Sequence, residues 1–365
     1  MNRILELTCA ALLSVVLPAA AYAQSTQKLS ANKANEYGLV YALPLTALDV
    51  TIEARKTVQT PGEFYQYARK NLAMTPITEE STTWTIEKVV VTPRGVADPE
   101  ERYLVQFKSG SSPWVVINDQ QFPLSINPEE TMTPPVPVLP AAVGAKPTVL
   151  ELPVASQAVT EEMLRSTSTP KRAELAAARI IELRQNRADV ISGQADAMPS
   201  DGEAMRLALA SITAQEEALT AMFVGTEQTS TEVRTYTFVP DSLDSQRVVI
   251  ARLSATQGLV DADDLQGMPL YLDFKVTRRA SMPVNEKGEP KRFPKGGVAY
   301  RIPGEAAVTI SFEGKRLYSN DFEIAQAGTV FGLDPSLFTD KKAPSAAIFN
   351  PVSGAIVELK PMTVQ

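Results

Sequence analysis

The sequence predicts an α+β protein in which two β-rich domains, the C-terminal one sandwich-like, are joined by a Pro-rich connector and an antiparallel helical hairpin. Three patterns predict it. Apolar and polar residues alternate with period two across 36–130 and again from Glu232 onward, as half-buried strands require. Prolines recur at Pro134, Pro135, Pro137, Pro140, Pro147 and Pro153, which favours extended backbone lying over a surface rather than a packed element. Between these regions, residues 158–225 carry apolar side chains at helical spacing.

The expected divisions are a secretory signal peptide over 1–23, a β-rich domain with one short helix over 24–132, and the connector over 133–157. A helical hairpin region over 158–226 and a β-rich domain over 227–365 complete the chain. Arg3, the apolar run Ala10–Leu17 and the small-x-small site Ala21-Tyr22-Ala23 make the signal peptide. That run is too short to span a bilayer, and no later segment is long and apolar enough to do so.

In the first β-region, Leu48, Val50, Ile52 and Ala54 alternate with Asp49, Thr51, Glu53 and Arg55. Thr60-Pro61-Gly62-Glu63 reads as a helix start with a capping box, leading into Phe64, Tyr67, Ala68 and Leu72. Strands are expected at 84–91, 102–107 and 114–117, with turns at Pro93-Arg94-Gly95 and Gly110-Ser111-Ser112-Pro113. In the helical region a first helix is expected near Thr160. A second runs from Thr169-Pro170 to Ser192-Gly193, and a third from Ser200-Asp201-Gly202-Glu203 to Phe223. Strands return at 232–239, 248–253, 270–276, 306–312 and 316–324. Glu313-Gly314 reads as a tight turn, and 347–349 with 355–359 as a last hairpin.

The chain has 365 residues, is 44% hydrophobic and 21% charged, and so has the composition of a folded protein. It contains no histidine and one cysteine, Cys9, which lies in the signal peptide. Ser-His-Asp and Cys-His catalysis, disulfides, and the usual zinc and haem ligands are excluded for the mature chain. No Ser-x-x-Lys stands before an apolar helix, no Gly-x-Ser-x-Gly or phosphate-cradling motif is present, and no cofactor is implied. The net charge of −7 gives no electrostatic support for nucleic-acid binding.

Three stretches resemble a known family. They are Ile180–Arg187 with Gly193–Ala204, Thr60–Ala68, and Gln326-Ala327-Gly328 with Phe349–Gly354. The sequence is similar there to an uncharacterised secreted family of Bacteroidota, described only as a domain of unknown function. Ala188 stands where that family carries a bulky aromatic. The resemblance implies an exported envelope protein of a Gram-negative bacterium and no established activity.

Six residues are candidate binding residues. Arg187 falls in the middle of the apolar face formed by Ile180, Leu183, Val190 and Ile191, and Arg184 belongs to the same helix. Glu216 sits in the middle of the face of Met205, Leu209, Ile212, Leu219 and Phe223. A charge on an apolar face needs a partner, so these read as structural ion pairs or as a polar ligand site. A fold near Asp196-Ala197 would leave Arg187 about 15 Å from Glu216 at the α-helical rise and favour Arg179 as its partner. Asp201 reads as a helix-start residue, near Asp196 and Glu203 at the hairpin tip. Trp84 and Trp114 read as core residues, or alternatively as a sugar-stacking platform. Asp261–Gly267 resembles a calcium loop but has Leu272 where the twelfth-position glutamate belongs, and reads as an acidic turn, so no metal is expected. The basic stretch Arg278–Lys295 reads as an exposed, mobile loop able to meet an acidic partner.

These features favour an exported, non-enzymatic protein of the periplasm, outer membrane or cell surface, with an envelope protein as its partner. The alternative is a glycan-binding protein or a carboxylate-dependent glycoside hydrolase, since paired carboxylates are the acid/base machinery left to a histidine-free chain.

Overall fold

The computed structural model describes residues 25–28, 38–106, 113–127, 138–241, 243–339 and 344–362. The expected signal peptide with Cys9, the connector through Pro137 and the Gly110-Ser111-Ser112 turn lie outside the described residues.

The protein is strand-rich, and its strands form three antiparallel sheets. The first has the order β1 (Ser25–Lys28), β3 (Ser81–Gln106), β2 (Leu39–Thr60) and β6 (Thr226–Phe238). The second has the order β11 (Lys315–Leu333), β10 (Val298–Phe312), β9 (Met268–Arg278), β7 (Asp244–Ser254) and β8 (Gly258–Val260). The third has the order β13 (Ile356–Pro361), β12 (Ser345–Phe349), β5 (Pro123–Ile126) and β4 (Val115–Ile117). The helices are α1 (Ala68–Leu72), preceded by a 3-10 turn at Tyr65–Tyr67, then α2 (Pro153–Ala158), α3 (Glu161–Arg165), α4 (Thr169–Ser192), α5 (Gly202–Val224) and α6 (Ser336–Thr339).

The sheets interleave the two segments expected as separate β-rich domains. β6 follows the helices in sequence yet pairs with β2 from Leu48↔Phe238 to Thr60↔Thr226. The third sheet likewise joins β5 to β12. The alternation read in β2 has its physical basis here. Leu48, Val50, Ile52 and Ala54 are fully buried and pack with Leu272, Phe274, Val308 and Ile310 of the second sheet. The sandwich expected within the C-terminal segment therefore takes one of its two sheets from the N-terminal segment. A second core, around Tyr41, Leu43, Tyr103, Val298 and Phe349, sits at the other end of the same long strands. A third, around Phe64, Met163, Ile180, Leu219 and Phe223, belongs to the helices.

Between the first two cores the ladders shift register, at Ala42/Pro44 on β2 and Ile302/Gly304 on β10. The turn 350–354 enters this waist. Thr46 is its hub: the backbone N–H donates to Gln326 Oε1 at 3.0 Å, and Gln326 Nε2 returns a bond to the Thr46 carbonyl at 2.9 Å. The Thr46 hydroxyl donates to the Val352 carbonyl at 3.2 Å and accepts from the Ala325 N–H at 3.0 Å. Arg301 N–H donates to the Gly354 carbonyl at 3.0 Å, and its buried guanidinium pairs with buried Asp98. Ala325, skipped where the β10–β11 ladder shifts, and Thr46 and Arg301, which lie beyond the ends of β6 and β9, are thus given partners, as burial demands.

Several local expectations are corrected. Pro93-Arg94-Gly95 makes no turn: the residues sit inside β3, opposite Leu48, Ala47 and Thr46. Gly95 is needed for close approach, because a Cβ there would lie 2.1 Å from the Pro351 carbonyl oxygen. Thr60-Pro61-Gly62-Glu63 starts no capped helix. Thr60 ends β2, and helical structure begins at Tyr65 without a side-chain cap. Gly62 instead lies against the C-terminal turn of α5, where a Cβ would meet the Met222 carbonyl oxygen at 2.4 Å. The connector includes one short helix, α2, with proline in its first turn. Earlier in the connector Val143 exchanges two hydrogen bonds with Thr231, of 3.0 and 2.8 Å, and covers part of the β6 edge. Glu313-Gly314 does form the tight turn, with positive φ at both residues (49° and 76°), as a type I′ hairpin requires.

Substituting Gly95→Ala should destabilise the fold by about 2 kcal/mol through overpacking against Pro351. A thermal melt indistinguishable from that of the native chain would mean that the 350–354 turn does not occupy the waist.

Candidate functional site

The helices carry most of the candidate residues, and their sequence explains their pairing. α4 buries Ala173, Ala176, Ile180, Leu183 and Val190 along one stripe, and α5 buries Ala218, Leu219, Ala221 and Phe223 near its end. α4 stops at Gly193, whose φ of 73° supplies the left-handed cap; Gln194 N–H then donates to the Asp189 carbonyl at 2.8 Å. α5 starts at Asp201, whose carboxylate accepts from Ala204 N–H at 2.7 Å. Asp201 is therefore engaged as a helix cap, and Glu203 pairs with Arg206 at 2.6 Å.

Glu216 is 8% exposed and lies between the two helices. Arg184 Nε donates to its Oε1 at 2.7 Å. Arg187 Nη1 lies 2.6 Å from Oε2, a charge contact out of hydrogen-bonding alignment, which leaves Oε2 without a hydrogen bond. The structure thus unites Arg184, Arg187 and Glu216 and corrects the expected pairing with Arg179, which binds Glu182 at 2.9 Å. The physical reason is side-chain direction. Helical side chains lean towards their own N-terminus, so in antiparallel helices Glu216 leans towards the tip while Arg187 leans away from it. Level Cα positions are a poor guide for side chains this long. Both arginines keep water contact, with side chains 43% and 35% exposed, so the cluster is a hydrated brace rather than a closed polar cavity.

The tryptophans are not brought together. Trp84 is half-buried at the end of the first core, with Lys56 Nζ 5.8 Å from its ring centre. It lines a groove of about 540 Å³ with Ile86, Leu253, Met268, Phe312 and Leu317, beside Thr82, Thr83 and Gln266. Glu313 is the carboxylate lining this groove, whereas two-carboxylate hydrolysis requires a facing pair. Trp114 is 74% exposed, which corrects the core assignment. It adjoins the three-residue edge strand β4, and its backbone N–H and carbonyl are both held by Asn127 at 3.0 and 2.7 Å. A strand this short at a sheet edge has no second layer over that position.

The displaced carboxylates are all displaced towards ionisation. Burial works against the Asp49 anion, but hydrogen bonds from Arg94 and Thr237 outweigh it and hold the carboxyl below its ordinary range. Glu203 and Glu305 are lowered by hydrogen bonds from Arg206 and Arg278. A general acid needs the opposite shift. Asp261–Gly267 is a hydrogen-bonded turn: Asp264 N–H donates to the Asp261 carbonyl at 3.1 Å, and Arg252 donates to the carbonyls of Ala262 and Gly267. Among the described residues no group of three or more acidic, histidine or cysteine side chains is placed to hold a metal ion.

Sequence reasoning missed the buried Arg301–Asp98 pair and the Thr46–Gln326 clamp. Gln326 lies in one of the motif stretches, which was the available signal. Gln326, Gly354 and Gly62, from two of the three motif stretches, each sit at a junction of the fold.

Comparison with known proteins gives one family. The profile described as Domain of unknown function (DUF4831) matches residues 37–357, so the chain belongs to that family. No curated protein and no solved structure matches the chain.

Two outcomes follow from this geometry. Glu216→Leu should leave a folded protein of near-native stability, since both arginines already reach water, while Glu216→Ala should cost about 1–2 kcal/mol by opening a void; urea denaturation of the two variants distinguishes them. Trp114 should dominate acrylamide quenching of the intrinsic fluorescence, so Trp114→Phe should leave blue-shifted, poorly quenched emission. Strong residual quenching from Trp84 would contradict its packing.

Proposed function

We propose that this DUF4831 protein is exported into the envelope of a Gram-negative bacterium of the Bacteroidota and acts there as a non-enzymatic interaction or assembly component, in the periplasm or at the outer membrane or cell surface. The leader-like start at Arg3, Ala10–Leu17 and Ala21-Tyr22-Ala23 supports export. No helix among the described residues is long and apolar enough to cross a membrane. The absence of histidine from the sequence supports a role without acid/base chemistry.

The observation that carries the reading is the pair α4 and α5. At its base the pair is packed into the helical core with α2, α3 and the turn after β2. The pair displays Ile181 on the outer side of its base, Ile191 and Leu207 further out and Met198 in the loop at its tip to solvent. Large apolar side chains left exposed along a braced helical arm are features of a protein-binding surface. A second reading, glycan binding, draws on the Trp84 groove, where an aromatic side chain adjoins Thr82, Thr83 and Gln266.

Photo-crosslinking from positions 191 and 207 in the native envelope fraction tests the first reading. A single stoichiometric envelope protein, lost in the Ile191→Ser/Leu207→Ser variant, is expected. Recovery of an uncrosslinked monomer, together with retention of envelope glycans that depends on Trp84, would replace it with the second.

A further inference from the structure

The strongest unassigned feature lies away from the helical arm, in the segment between β9 and β10. Residues 279–295 hold Arg279, Lys287, Lys291, Arg292 and Lys295 against two carboxylates, Glu286 and Glu289, in a chain whose net charge is −7. All five cationic residues are exposed. Among the described residues none of the five has an acidic partner, although Arg278 immediately before them pairs with Glu305 at 2.6 Å. An acidic chain could have neutralised this patch internally, and the fold instead concentrates positive charge in one place.

The segment is also built. Asn285 Oδ1 accepts from the N–H groups of Lys287 and Glu289, both at 2.9 Å, and Asn285 N–H donates to the Glu289 carbonyl at 2.8 Å. Gly288, at φ 79°, makes the reversal, and Val284 bridges Pro290. Lys291 N–H donates to the Pro283 carbonyl at 2.7 Å. The hairpin is pinned to the body: Ala280 N–H donates to the Ala327 carbonyl at 3.1 Å, and Phe293 lies against Gly332 and edge-on to Phe331. The sequence reading of a mobile loop is thus replaced by a small hydrogen-bonded hairpin, which presents its cations on a fixed frame.

We infer that this hairpin is a docking surface for a carboxylate-rich segment of a protein partner. The charge excess sets the sign of the partner. The apolar side chains bear on its class: Met282, Val284 and Phe293 are 38%, 55% and 42% exposed. They sit on a bridge-and-turn segment, with Phe293 edge-on to Phe331 and the Met282 sulfur accepting from Thr329, and not on the amphipathic helix by which an interfacial anchor enters a bilayer. Lysine predominates over arginine, and three flexible point charges suit carboxylates without fixed geometry better than the bidentate capture of a defined phosphate. The surface is separate from the helical arm, so its success or failure is independent of the arm's role.

The test measures binding of the mature full-length chain to poly-L-glutamate and to vesicles of phosphatidylcholine with phosphatidylglycerol. Two variants carry the same charge change: Lys287→Glu/Lys291→Glu/Arg292→Glu on the hairpin, and Arg69→Glu/Lys70→Glu/Lys88→Glu elsewhere. We expect the native chain to bind poly-L-glutamate, with affinity falling as salt rises from about 0.05 M to about 0.5 M. The hairpin variant should lose about tenfold or more, and the control variant less than about threefold. Equal losses in the two variants would show that net charge alone acts, and overturn the inference. So would absence of binding by the native chain, or binding confined to the vesicles. Unchanged melting temperatures in both variants establish that folding is not the cause. Should the hairpin variant melt lower, the neutral Lys287→Gln/Lys291→Gln/Arg292→Gln variant takes its place and must show the same selective loss.

Discussion

The hydrogen-bonded clamp at Thr46 is the constraint on which the assembly depends. β2, β3, β10 and β11 run past two separate cores, and between the cores their ladders shift register while β6 and β9 come to an end. These interruptions free buried backbone groups, which are costly unless they find partners. Thr46, Gln326, Arg301 and the 350–354 turn supply them. One threonine thereby ties the first sheet to the second and to the turn that leads from β12 to β13. The three sheets are held as one body through this polar junction as well as through their apolar faces.

The helices obey a different logic. They join the sheets through the Pro61–Phe64 turn, where Phe64 N–H donates to the Met222 carbonyl at 2.7 Å and Gly62 permits the approach. Glu63 adds an ion pair with Arg172 across the same junction. Beyond this base the pair α4 and α5 holds itself together through small apolar contacts and the Arg184–Glu216–Arg187 brace. A brace that keeps its arginines hydrated stabilises the helices against each other without asking for cover from a third layer. The outer half can then present apolar side chains, and the basic hairpin after β9 presents charge, on two separate parts of the surface.

The candidate site was legible in part. Arg187 and Glu216 stood out because they occupy apolar faces, and that reasoning needs no tertiary structure. Their partnership was misjudged because Cα register ignores how far and in which direction long side chains lean. Asp201 was legible as a cap because capping is local. Trp114 was misjudged because residue type and neighbouring valines say nothing about whether a second layer covers a short edge strand. Pro93-Arg94-Gly95 looked like a turn because proline and glycine usually punctuate, yet here the glycine is required by a turn some 250 residues away in sequence.

By itself the sequence determined the local features: the alternation of β2, the spacing of α4 and α5 with the Gly193 stop and the Asp201 cap, the Glu313-Gly314 reversal, and the exclusion of histidine chemistry. All of these rest on interactions within a few residues or on composition. The cap expected at Thr169 is absent, because α4 already includes that residue and its flanking Ser168 makes no side-chain capping bond. Only the tertiary structure decided which strands share a sheet, which of the family stretches serve as junctions, and where positive charge is left unpaired. The physical reason is that sheet partnership and charge pairing are settled between residues far apart in the chain. Period-two strands are interchangeable in pattern, and only the fit of Gly95 under Pro351, or of Thr46 between Gln326 and Val352, distinguishes one assembly from another.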